Sequence, residues 1–135
     1  MAFIEFFRSP TRGFPPTEPP DAAVVEASRQ LVLLSGVQSV DADDRVVGEG
    51  DVAAQVRGAM LNIENILVDL GGSLSSVART VIYVRSNQDE DMNLAWNTYV
   101  EVIGDPQPAA TLVGVTLLGG GSAMLVEIEA TAVLP

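Results

Sequence analysis

MLVEIEATAV, the stretch from Met124 to Val133, alternates apolar and polar residues and sets the architecture of the chain. Successive side chains of a strand point to opposite faces, so Val126, Ile128 and Ala130 share one face while Glu127, Glu129 and Thr131 share the other. An apolar face backed by carboxylates belongs to a sheet that is covered on one side only. The apolar set is therefore predicted to pack under helices, with both glutamates on the uncovered face.

Upstream of this strand, Gly119-Gly120-Gly121-Ser122 forms a flexible link, and Ala110 to Leu117 (ATLVGVTL) reads as another strand. Before that, Asp89 to Ile103 places Met92, Trp96, Tyr99 and Ile103 on one helical stripe with acidic residues in the first turn, and Gly104, Pro106 and Pro108 stop it. Val77 to Arg85 (VARTVIYVR) is rich in β-branched residues and reads as a strand. Asp51 is a plausible N-cap for a helix carrying Val52, Val56, Met60, Ile63, Leu67 and Leu70 at spacings of three and four, and Gly71-Gly72 ends that helix. Gln30 to Ser39 is an apolar run predicted as one buried strand with a close backbone approach at Gly36, and Asp41 to Gly50 is a polar loop.

The order strand, helix, strand, helix, strand, strand predicts an α+β domain: a mixed sheet with both helices on one face. The strand–helix–strand crossover implies a parallel pair, and the short glycine-rich link implies that the last two strands are antiparallel neighbours. Five of the eight prolines fall between Ser9 and Asp21, which reads as an extended surface arm, preceded by a short edge strand or docking segment from Ala2 to Phe7. Residues 1–24 are accordingly an N-terminal strand and arm, and residues 25–135 the body of a single domain.

Composition narrows the chemistry. A chain of 135 residues, 47% hydrophobic and 19% charged, is a one-domain globular protein. A net charge of −11, with seven scattered arginines as its entire basic complement, repels phosphate backbones and argues against a nucleic-acid partner. The start lacks the pattern of a signal peptide, and no apolar run approaches the roughly 20 residues of a membrane span. A cytoplasmic protein with no membrane partner is expected. The absence of histidine, cysteine and lysine removes His-based triads, the usual zinc sites and Schiff-base or covalent PLP chemistry. Acid/base work by Asp, Glu or Tyr, anion capture by arginine and stabilisation by backbone N–H groups are what remain.

Two readings of Glu127 and Glu129 stay open on patterning alone. They solvate an exposed sheet face, or that face, if it is partly apolar, is covered by another copy of the chain; Val113 and Val115 give the neighbouring strand an apolar set whichever face they take. In the second case a glutamate lies in an interface cleft, where desolvation favours its protonated form and suits it to proton transfer.

The segments LVLLSGVQS (Leu31 to Ser39), VAAQVRGAMLNIENIL followed by GGSLSSV, ARTVIYV, NTYVEVIGD, PAATLVGV and LVEIEATAV together resemble the reactive intermediate deaminase family, also called Rid or YjgF, over about Leu31 to Val133. The resemblance implies a chorismate-mutase-like fold, a homotrimer with its open sheet faces turned inward, three clefts between subunits, and cofactor-free hydrolysis of enamine or imine intermediates. It implies that Glu127, the first glutamate of the EIEA strand, activates the attacking water. It also implies that Gly36, with Ser35, lines the cleft through its backbone. Where the family's PAR(S/T) motif has a carboxylate-binding arginine, this chain reads Pro108-Ala109-Ala110-Thr111. Its usual tyrosine has no match between Asp21 and Val24, and its helix asparagine is Trp96 here. Ala110, Thr111 and Trp96 thus line the implied substrate site without binding a carboxylate. Arg12, Arg29 and Arg85 are the arginines that could stand in, since Arg57 belongs to the amphipathic helix and Arg45 to the acidic loop. Each also reads as a solvated surface residue, and Trp96 and Tyr99 also read as core. A non-catalytic trimer that binds a metabolite or a protein is the alternative to a small-molecule enzyme. The ribonuclease activity attached to some relatives by name ranks last, on charge.

Overall fold

The computed structural model of the chain describes residues 4–8, 10 and 19–135. Most of the proline-rich arm, with Arg12, lies outside the described residues. Strand β1 (Ile4–Phe7) pairs antiparallel with β2 (Ala22–Val25) in a two-stranded sheet. The main sheet contains β3 (Leu31–Leu33), β4 (Val37–Gln38), β5 (Val77–Arg85), β6 (Ala109–Val115) and β7 (Val126–Val133), in the order β3-β7-β5-β6, with β4 also paired to β7. Helices α1 (Val52–Asp69) and α2 (Asp89–Ile103) pack on one face, as the patterning predicts.

Helix α1 begins where expected: the Asp51 carboxylate accepts a hydrogen bond from the Ala54 N–H at 3.0 Å, satisfying one of the donors a helix start leaves unpaired. Its stripe of Val56, Met60, Ile63 and Leu67 is fully buried against Ile82 and Val84 of β5 and Val126 and Ile128 of β7. Leu70, the last member of the predicted stripe, is 48% exposed because the helix has ended there; Gly71 follows with φ +89°, a left-handed conformation that glycine adopts without strain.

Two expectations are corrected. The last two strands are not neighbours: β6 pairs parallel with β5, and β7 pairs antiparallel with β5 on its other side. The connection after Val115 crosses the end of β5 instead of turning back, because β7, nearly all of whose helix-facing residues are fully buried, takes the centre of the sheet. Gln55, buried on α1, fixes that crossing. Its Nε2 donates to the carbonyls of Gly48 (3.2 Å) and Ala123 (2.9 Å), and its Oε1 accepts from the N–H groups of Leu125 (2.7 Å) and Val126 (3.3 Å). The second correction concerns Gln30 to Ser39, which is two short strands broken around Gly36, not one buried strand. Leu31 and Leu33 are 57% and 72% exposed, since they point to the open face of the sheet while Val32 packs on the core.

Candidate functional site

The site is built on the open face of β7. Register places Glu127 directly across from Gln38 on β4 and Tyr83 on β5, so the three side chains share that face. Gln38 Nε2 donates to Glu127 Oε1 at 2.8 Å and to the Gly119 carbonyl at 2.7 Å. Both amide hydrogens thereby have acceptors, which fixes the orientation of the amide and pins one carboxylate oxygen. The other oxygen lies against the Gly36 backbone. A Cβ added at Gly36 would stand 2.4 Å from Glu127 Oε2 and 2.7 Å from its Cδ, so only glycine lets the carboxylate sit there. Ser35 adjoins Gly36 and is exposed.

Two residues further along, the Tyr83 hydroxyl donates to Glu129 Oε1. That bond to a carboxylate holds the phenol pKa above its usual value, with slight desolvation and the charges of Glu129 and Glu127 adding to the effect and Arg79 opposing it. Thr111 faces the same side, across Val81 from Glu129.

Ala110 and Trp96 are elsewhere. Ala110 pairs with Thr80, which pairs with Ala130, so it lies on the helix-facing side, half-buried against the core with Leu112. Trp96 packs there too, its ring 5.5 Å from that of Tyr99. Tyr99 is fully buried, its hydroxyl 2.7 Å from Thr80 Oγ1, and burial pushes its pKa up to about 12 against the smaller opposite effect of that hydrogen bond. Within one chain the predicted residues therefore form two groups: Glu127, Gly36, Ser35 and Thr111 about the open face, and Ala110 with Trp96 behind the β6 edge. Neither described replacement for the missing arginine leads to Ala110. Arg29 is ion-paired with Glu26 at 3.2 Å, and Arg85 donates to the Ser122 carbonyl at 2.6 Å from the far end of β5. Arg79 stands opposite Ala109 in register, on the open side.

Gln38 and Tyr83 were not singled out by sequence reasoning. The signal was present in their spacing: Gln38 stands two residues after Gly36, and Tyr83 lies on a predicted strand. The strand order needed to bring both to Glu127 was not. Among the described residues no cluster of three or more His, Cys, Asp or Glu side chains could hold a metal ion, and no helix is long and apolar enough to cross a membrane.

The family model described as Endoribonuclease L-PSP matches residues 16–134, and the 3-aminoacrylate deaminase RutC of Acinetobacter baylyi is 35% identical over 119 residues, covering 86% of this chain and 90% of the relative. The chain belongs to the Rid/YjgF family. Rid-family structures show the same fold. A member of unknown function from Yersinia pestis superposes with a TM-score of 0.81 at 23% identity, covering 98% of this chain and all of that one. RidA from an Antarctic Psychrobacter species gives 0.68 at 23% identity, covering 99% and 100%. The Rid family thus includes a named deaminase acting on a small molecule, on the α+β scaffold seen here.

Proposed function

We propose that this chain is a cofactor-free enzyme that adds water to an enamine or imine in a cleft between the subunits of a homotrimer, with Glu127 as the acid/base. The observation that carries this reading is the held carboxylate: Gln38 fixes one oxygen of Glu127, and the backbone of Gly36 backs the other on an otherwise open sheet face. In the reaction Glu127 removes a proton from water as the oxygen attacks the carbon of the protonated imine, giving a neutral carbinolamine. It then returns that proton to nitrogen, the C–N bond breaks as the carbinolamine hydroxyl gives its proton to the Glu127 carboxylate, and ammonia leaves a ketone or aldehyde, taking the proton from Glu127 as ammonium. An enamine enters the same path after protonation at its β-carbon.

Trimer formation explains why the site residues fall into two groups. Among the described residues the outer edge of β6 has no partner strand, and Leu31, Leu33 and Leu117 are more than half exposed. A neighbouring subunit that covers the open face brings its own β6 edge, with Ala110 and Trp96, toward Glu127. Those residues offer apolar surface and no cation where the family's arginine stands, so that wall favours an imine without the carboxylate that the name of the RutC relative implies for its own substrate. Loss of an arginine–carboxylate bond is worth about 1.5–3 kcal/mol of binding, enough to exclude such substrates at low concentration. The test is ammonia and carbonyl release from a panel of carboxylated and neutral imines. Turnover of neutral imines that disappears in Glu127→Gln supports the proposal, and equal rates in both proteins on every substrate end it.

The absence of a cation at Ala110 also favours a second reading, a trimer that binds a metabolite or protein without turnover. Tight binding, seen as a raised melting temperature with no product formed, would select it. Nucleic-acid cleavage, the activity in the matched family description, fits a net charge of −11 poorly.

A further inference from the structure

A cavity of about 500 Å³ lies at the opposite end of the sheet from Glu127, where β5 begins at Val77 and β7 ends at Val133. Six residues along β7, about 20 Å at the usual strand rise, separate it from Glu127. Its volume is within the roughly 300–1,000 Å³ of small-molecule sites. Ile4 and Phe6 of β1 form one wall, and Leu74, Ile103 and Val133 another, so most of the lining is apolar. The polar groups converge from two short segments, the serines after α1 and Asp105 after α2.

The chemistry of those groups selects a ligand. Asp105 is the one charged side chain among the described residues of the lining, and neither described ion pair involves it. The hydroxyls of Ser73 and Ser75 lie 2.6 Å apart and share one proton, which leaves one hydroxyl hydrogen and free lone pairs. Ser76 Oγ accepts from the Ser73 N–H at 3.1 Å. A lining with a carboxylate and, among the described residues, no cation, on a chain of net charge −11, repels anions and attracts a cationic donor. We propose that this cavity binds a small amphipathic amine: an apolar body against Phe6, Leu74 and Ile103, with its ammonium group on Asp105 and the Ser73–Ser75 pair. The site is independent of Glu127 and of the hydrolysis proposed there.

The experiment is an amide NMR titration of the full chain with 4-phenylbutylamine, 4-phenylbutanol and 4-phenylbutyrate, which share a body and differ in head group. The amine is expected to shift the signals of residues 71–77 and Val133 saturably, the alcohol to bind several-fold more weakly, and the butyrate to leave them unmoved. Asp105→Asn is expected to weaken the amine by about three- to tenfold, the range for a charge pair that is partly screened, and to leave the alcohol as it was. Ser75→Trp, which fills the cavity from its exposed rim, is expected to abolish the amine and alcohol responses while the remaining spectrum is preserved; Glu127→Gln is expected to change neither. The proposal is overturned if no saturable shift occurs, if amine and butyrate bind alike, if Asp105→Asn leaves amine affinity unchanged, or if the shifts centre on Glu127.

Discussion

On the helix-facing side of β7, Val126, Ile128, Ala130 and Ala132 are each at most 3% exposed and close the core against α1 and β5. On the other side of the same strand, Glu127 and Glu129 hold hydrogen bonds to Gln38 and Tyr83 that leave the carboxylates reachable. One face gains stability by removing apolar area from water, about 25 cal/mol per Å². The other holds charged groups in fixed positions at little gain in stability, because exposed polar contacts contribute only tenths of a kcal/mol to about 1 kcal/mol. The alternation of a single strand thus divides the molecule into a face that folds it and a face available for chemistry.

The sharpest way to break this comparison is to truncate neighbouring positions of β7. Ile128→Ala is expected to cost about 2–5 kcal/mol in urea unfolding, through lost burial and the cavity left behind. Glu129→Ala is expected to cost under about 1 kcal/mol. Equal costs would mean that the open face also carries stability. Gly36→Ala comes next, because its methyl group overlaps Glu127 Oε2. The group it meets is the end of a flexible side chain on the open face, so the variant should displace the carboxylate and lower activity while stability falls by under about 1 kcal/mol.

Tyr99→Phe sharpens the helix-facing side. It leaves the buried Thr80 hydroxyl without its partner, at about 1–2 kcal/mol. It also changes the alkaline profile. The folded protein keeps the Tyr99 proton up to about pH 12, whereas the unfolded chain releases it near the ordinary value of about 10. The unfolded state binds fewer protons in that window, so this contribution is whole below pH 10 and lost as pH rises toward 12. Unfolding curves across that range should fall more steeply for wild type than for Tyr99→Phe. The smallest effect belongs to Glu129→Gln: removing the carboxylate that accepts from Tyr83 should bring the phenol pKa down toward its ordinary value, seen by ultraviolet titration, with stability nearly unchanged.

Much of this was legible from residue patterns. The N-cap of α1, the stripes of both helices, the stop of α2 at Gly104, and the strand Val77–Arg85 follow from local rules, because capping and periodicity are written in nearby residues. The position of β7 between β3 and β5 was not, since strand order depends on which strand is buried most deeply and on the tie that Gln55 makes to Leu125 and Val126, seventy residues away in the chain. For the same reason the family resemblance can bring Glu127 and Gly36 forward as candidates while nothing local points to Gln38 and Tyr83: their place beside Glu127 depends on register across three strands. The separation of Ala110 from Glu127 follows from the pairing of Thr80 with both Ala110 and Ala130, which no local pattern encodes.

The most direct test of the central claim is the rate of ammonia and carbonyl release from neutral imines by wild type and by Glu127→Gln, each first shown to unfold at the same urea concentration. The account predicts that Glu127→Gln loses roughly a hundredfold to ten-thousandfold in kcat/KM, the usual contribution of a positioned acid/base, with stability unchanged. Equal kcat/KM in the two proteins, at equal stability, would contradict it.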